Sequence, residues 1–176
     1  MGNLFKFKPK FNVDYLKNIV LDYTKNFEWL KWKDEDWYQY IQIMENKDYV
    51  LNSDLNKEID YYLNFFGVTP TKCRISRTLN KKGEIWPSKR GWHRDPPISK
   101  EIRLLIPISG CENTGIEFAN SPPEKIEYGY VYFFNTQIYH RIWCDSCDVE
   151  RICLLICFEN NFKGNINFYK KYFNKL

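Results

Sequence analysis

The stretch GWHRDPP, residues 91–97, places His93 and Asp95 one residue apart in a chain with only two histidines. Positions i and i+2 of an extended strand point to the same side, so an imidazole and a carboxylate here can face one centre. The other histidine, His140, falls in a run of strand character and is the one imidazole left to join them. Two imidazoles and a carboxylate on one face of a metal are the ligand set of non-haem Fe(II) sites, which keep positions open for a cosubstrate and O2. If that cosubstrate is 2-oxoglutarate, its far carboxylate needs a cation. An arginine suits it, because the planar fork matches a carboxylate with two hydrogen bonds. Arg151 opens the run RICLLICF, in which Arg151, Cys153, Leu155 and Cys157 share one face and Ile152, Leu154, Ile156 and Phe158 the other. An arginine heading such an apolar strand needs a partner.

Each of these residues also has an ordinary role. Alone, His93 and Asp95 read as a surface turn before Pro96, with Asp95 accepting backbone hydrogen bonds. His140 alone reads as a hydrogen-bonded core histidine. Arg151 has Asp145, Asp148 and Glu150 nearby as salt-bridge partners, and Arg103 has Glu101. It is the joint pattern that favours a site. Cys144 and Cys147 form a C-x-x-C with Cys153 and Cys157 close behind, but the latter two sit in an apolar strand, so all four read as turn and core thiols and not as a zinc site.

Elements must bring these residues together. Leu16, Ile19, Val20 and Tyr23 make one stripe of a helix, and Leu55, Ile59, Tyr62, Leu63 and Phe66 a second, with Ser53 and Gly67 as its caps. The pattern from Phe11 to Gly67 is helical overall, although Phe27 to Met44, with Trp29, Trp32 and Trp37, fits helix, loop or edge strand equally. After Pro70 the texture changes to short strands: Cys73–Leu79, Glu101–Ile108, Ile116–Phe118, Lys125–Glu127, Tyr130–Phe134, Ile138–Trp143 and Arg151–Phe158. Turns separate them at Lys81 to Gly83, Gly110 to Gly115, Ser121 to Pro123 and Cys144 to Asp148. The expected fold is mainly β with N-terminal helices, an α+β sandwich or barrel with helices packed on one side. One domain is expected over 1–176: mainly helical support in 1–69, the β core in 70–160, and a packed or frayed tail in 161–176.

Composition agrees with a folded enzyme-sized domain. The 176 residues are 44% hydrophobic, 18% aromatic and 27% charged, too apolar for a disordered segment. A net charge of +4 with scattered basic residues does not announce a nucleic-acid face. No apolar run has the length to cross a bilayer, and MGNLFKFKPK lacks the apolar core of a secretory signal, so a cytoplasmic protein with free thiols is expected. Ala119 is the single alanine beside abundant Lys, Asn, Ile, Tyr and Phe, the usage of AT-rich coding; a phage or virus acting in its host, or a low-GC bacterium, is the expected source.

From Arg77 to Glu159 the chain resembles a known family. WHRDPPISKEIRLLIPI followed by GYVYFFNTQIYHRIWCDSCDVERICLLICFE is similar to the Fe(II)/2-oxoglutarate-dependent dioxygenases, and among them to the aspartyl/asparaginyl β-hydroxylase-like group that includes free-proline hydroxylases. The resemblance implies a double-stranded β-helix, or cupin-like jelly roll, with the metal between its sheets and the N-terminal helices against the outside of the larger sheet. It implies His93, Asp95 and His140 as iron ligands and catalytic centre, and Arg151 as the holder of the 2-oxoglutarate carboxylate. Arg103 matches a family arginine at the substrate or cosubstrate. Where some members carry a histidine two residues later, this chain has Leu105.

The expected activity is hydroxylation of an amino-acid-like substrate, free or within a peptide, using Fe(II), 2-oxoglutarate and O2 and releasing succinate and CO2. Arg103, then Arg77 and Arg90, are the expected cations for the substrate, and Trp92, Tyr130, Tyr132 and Phe134 the expected dry lining. Two other readings stand beside it: a nucleic-acid demethylase of the same superfamily, and a jelly-roll module that binds a small carboxylate or sugar without turnover. Neither nucleic acid nor membrane is an expected partner.

Overall fold

A computed structural model describes residues 4–9, 11–32, 35–50, 56–57, 60, 70–79, 92–95, 101–134, 138–144 and 150–159. Eleven strands and one long helix follow in the order β1 (Leu4–Phe7), α1 (Val13–Asn26), β2 (Leu30–Trp32), β3 (Glu35–Glu45), β4 (Asp48–Tyr49), β5 (Pro70–Leu79), β6 (Glu101–Ser109), β7 (Thr114–Phe118), β8 (Glu124–Lys125), β9 (Val131–Phe134), β10 (His140–Cys144) and β11 (Glu150–Glu159). A large sheet runs β1-β9-β6-β11-β5-β3-β2, with β4 paired to β3, and a small sheet runs β10-β7-β8. His93 adds an antiparallel bridge to His140 on the free side of β10.

Alternation along the strands builds two cores. Ile152, Leu154, Ile156 and Phe158 of β11, Leu104, Ile106 and Ile108 of β6, and Cys73 and Ile75 of β5 pack with Leu16, Ile19, Val20 and Tyr23 of α1. That helix starts because the Asn12 side chain accepts a hydrogen bond from the Tyr15 amide at 3.0 Å, capping an otherwise unpaired donor. On the opposite face Leu105, Tyr132, Cys153 and Leu155 meet Ile116 and Phe118 of the small sheet. The result is helix on sheet on sheet, a jelly roll with α1 outside the larger sheet, as expected from the resemblance.

All seven strands read after Pro70 form, with ends moved by a few residues. The N-terminal part needs correction. Expected to be mainly helical, its described residues hold α1, three further helical positions and four strands, and Phe27 to Met44 becomes β2 and most of β3. The aromatic, β-branched stretch WYQYIQI lies in β3, which pairs with β5 along seven registered positions, and burial of Ile41 and Ile43 in the core shared with α1 decides its state. Of the second expected helix only Asn56, Lys57 and Asp60 are described, all helical; the rest, the turn at Lys81 to Gly83 and the tail beyond Glu159 lie outside the described residues. No described helix is long and apolar enough to cross a membrane.

Candidate metal centre

His93, Asp95 and His140 converge, each offering a ligand atom within 4.8 Å of the others. The pairing that achieves this is local. His93 and His140 exchange both backbone hydrogen bonds at 3.1 Å, which sets their rings side by side with centroids 4.5 Å apart. Asp95, two residues on, then projects to the same side. The His140 ring is 4% exposed and its Nδ1 lies 2.8 Å from the Ile138 carbonyl. A carbonyl only accepts, so Nδ1 carries a proton and Nε2 is the ring nitrogen that faces the centre. His93 is more open. Asp95 turns Oδ2 to His140 Nε2 at 3.5 Å and Oδ1 to Arg103 Nη1 at 2.6 Å. Burial alone would raise the Asp95 pKa, but the contact with His140 and the charge of Arg103 hold the carboxyl below the usual carboxylate range. Among the described residues this is the only cluster of three such donors.

The centre opens into a cavity of about 480 Å³ between the sheets, lined by all three donors and by Arg103 and Arg151. Arg151 is 2% exposed, and its Nε and Nη1 have no hydrogen-bond partner among the described residues. Glu150, a salt-bridge candidate in the sequence, instead faces Arg77 at 3.4 Å. Opposite Arg151 in the β11–β5 register stands Thr78, whose buried Oγ1 is also unpartnered. A buried guanidinium and hydroxyl without acceptors are costly unless something else accepts from them. The soft neighbours of Arg151 are two thiols, Cys111 and Cys153, with sulfurs 3.9 Å apart. Burial would raise the Cys153 thiol, but the bond to Cys111 and the Arg151 charge bring it below the usual thiol range, while the same bond and burial push Cys111 up.

Other expectations change. Arg103 reaches the cavity, where it meets Asp95. Arg77 is not a substrate cation: it points to the opposite face of β5, stacks on Trp29 and pairs with Gln39 and Glu150. Arg90 lies outside the described residues. The dry lining comes from Trp32, Trp37, Leu105, Ile116 and Leu155, since Trp92 packs on Arg141, Tyr130 under Lys6, and Tyr132 in the inter-sheet core with its hydroxyl on the Glu127 amide; the Phe134 side chain is not described. Cys144 is half-buried and in no disulfide among the described residues, and Cys147 lies outside the described residues. Thr78 and Arg74, both facing the cavity from β5, escape a sequence reading that looks for motifs; the signal was the alternation Lys72, Arg74, Ser76, Thr78, a polar face in a strand whose other face is apolar.

No protein-family model matches the sequence, and no curated protein matches it. Solved structures do match in fold. Against EvdMO1 the chain aligns over 90% of its own length and 47% of the other, with TM-score 0.57 and 16% identity, so it spans about half of that protein. An oxidoreductase of the 2OG-Fe(II) oxygenase family from Burkholderia pseudomallei matches over 89% of this chain and 84% of its own, with TM-score 0.57 and 14% identity. A Pseudomonas putida prolyl-4-hydroxylase matches over 89% and 92%, with TM-score 0.54 and 13% identity. The chain thus has the jelly-roll fold of 2-oxoglutarate-Fe(II) oxygenases, with a two-histidine, one-carboxylate cluster in the cavity between its sheets.

Proposed function

We propose that the protein is an Fe(II)- and 2-oxoglutarate-dependent oxygenase that hydroxylates an amino-acid-like substrate. One observation carries the reading: a buried arginine whose N–H groups have no partner among the described residues shares a cavity with a two-histidine, one-carboxylate cluster. The donor set suits Fe(II) with positions left open, and the orphaned guanidinium suits a carboxylate. In this reading His93, Asp95 and His140 hold the metal, and Arg151 with Thr78 holds the far carboxylate of 2-oxoglutarate. Bound iron with 2-oxoglutarate and O2 supplies the oxidising power to hydroxylate a C–H bond, with succinate and CO2 as co-products. The chain's own contribution is orientation and exclusion of water. Arg103 fixes one Asp95 oxygen so that the other faces the centre, Ile138 fixes the His140 tautomer, and Leu105, Ile116 and Leu155 keep the cavity wall apolar. Hydroxylation as the outcome and an amino-acid-like substrate are supported by the resemblance of residues 77–159 to the aspartyl/asparaginyl β-hydroxylase-like group and by the fold shared with a prolyl hydroxylase.

The test is anaerobic titration of the purified protein with Fe(II) and 2-oxoglutarate, following the weak visible charge-transfer band of the chelate. The band is expected in the wild type and absent in Asp95→Ala and His140→Ala. A folded wild type that gives no band overturns the reading.

A further inference from the structure

The inner face of β5 carries Lys72, Arg74, Ser76 and Thr78 into the cavity. Arg74 is the unusual one. Its guanidinium carbon lies 5.8, 5.6 and 5.7 Å from the ring centres of Trp32, Tyr38 and Tyr40, an aromatic frame supplied by β2 and β3. Its Nε is buried with no hydrogen-bond partner, and no carboxylate among the described residues pairs with it. The neighbouring cations are matched: Lys72 with Glu45 at 3.0 Å, Arg103 with Asp95 at 2.6 Å, and Arg141 with Glu117 at 2.5 Å. Two cavity guanidiniums, Arg74 and Arg151, therefore keep buried N–H groups without a hydrogen-bond partner among the described residues. They occupy different rows of the sheet. Arg151 pairs across to Thr78 and Arg74 to Leu155, rows roughly 13 Å apart along β5 at ~3.3 Å per residue.

We propose that Arg74, framed by Trp32, Tyr38 and Tyr40, binds a carboxylate of the substrate, so that the enzyme acts on a small carboxylic acid, of which a free amino acid is the type. Calling the ligand a substrate rests on the oxygenase reading above; the anion site itself does not. Three rings within about 6 Å of the guanidinium carbon restrain the group by cation–π contact, and the N–H edge of its planar fork is the edge a carboxylate uses. A partly dry wall strengthens that charge-assisted bond and makes the empty site costly. One planar fork matches one carboxylate; a nucleic-acid strand asks for a run of unpaired basic groups, and here Lys72, Arg103 and Arg141 are paired. The cavity of about 480 Å³ is in the range of small-ligand sites. A residue inside a polypeptide lacks the α-carboxylate that Arg74 awaits.

The experiment is isothermal titration calorimetry of the full chain under nitrogen, with Fe(II) and saturating 2-oxoglutarate present. The probes are phenylacetate and the standard L-amino acids, each against its primary amide. At least one carboxylate is expected to bind roughly tenfold or more tightly than its amide. Arg74→Met is expected to erase the preference and Arg74→Lys, which keeps the charge and loses the fork, to reduce it. The proposal is overturned if no carboxylate outbinds its amide in the wild type, a comparison that needs no variant to fold. It is equally overturned if folded Arg74→Met keeps the full preference. The chelate band read on the same samples separates the two claims: a band without carboxylate preference sinks the Arg74 site alone, and an Arg74-dependent preference without a band supports the anion site and sinks the oxygenase.

Discussion

Asp95 gives its two oxygens different duties, one to Arg103 and one to the centre beside His140. A carboxylate freed of its outer partner rotates, and loss of such support typically costs about 10–100-fold in metal affinity. Arg103→Met is therefore expected to weaken Fe(II) binding by about that factor in an anaerobic metal titration. Unchanged metal affinity with a raised 2-oxoglutarate requirement would move Arg103 from orienting Asp95 to holding the cosubstrate. Arg151 is the converse case, a cation whose buried N–H groups await an acceptor. Charged hydrogen bonds contribute about 1.5–3 kcal/mol. Arg151→Met should accordingly raise the 2-oxoglutarate concentration for half-formation of the chelate by about 10–100-fold, and Thr78→Val by a few-fold; a requirement unmoved in Arg151→Met removes it from the site.

At the scale of the element, β11 serves both cores, and neighbouring residues answer to different ones. Leu154 is fully buried beneath α1, whereas Leu155 lines the cavity. Leu154→Ala should cost about 2–5 kcal/mol by leaving a void that packed neighbours close poorly, measured as a lower urea midpoint. Leu155→Ala opens onto existing space and should sit at the low end of that range; equal losses would contradict the two-sided strand. Gly115 is the tight point of the small sheet. A Cβ there collides with the Glu124 carbonyl oxygen, the backbone of β8 paired to β7. Gly115→Ala is expected to destabilise by about 1–3 kcal/mol and to loosen β8 first, visible as faster amide exchange there than in β11.

Over the whole molecule, the site lies between two sheets that no single segment can assemble. His93 and His140 meet across a bridge, and the donor cluster faces arginines on β6 and β11 of the other sheet. A ligand that spans the gap must stabilise the folded chain. At a hundredfold excess over its dissociation constant the gain is about 2.7 kcal/mol, or about 5–10 °C in Tm for a domain of this size. Scanning fluorimetry under nitrogen should show this for Fe(II) with 2-oxoglutarate in the wild type and no iron-dependent rise in His140→Ala. A full rise in that variant would place the metal elsewhere.

What the amino-acid sequence determined by itself was local and periodic. The spacing of His93 and Asp95, the lone second histidine, the arginine heading RICLLICF and the i, i+3, i+4, i+7 stripe of α1 are properties of neighbouring residues, so they are legible without coordinates. From them came the candidate trio whose side chains converge, the seven strands after Pro70 and the side of β11 that carries Arg151. Tertiary structure decided what depended on distant partners. WYQYIQI became β3 because β5 offered an edge and α1 a cover, a contest between pairing and helix periodicity that no window of sequence resolves. Alternation in TKCRISRTL separated two faces without saying which was inside. The polar one turned inward, bringing Arg74 and Thr78 to the cavity and sending Arg77 out to Trp29, because the apolar face was claimed by α1 and the space between the sheets is a site for polar ligands as well as a core.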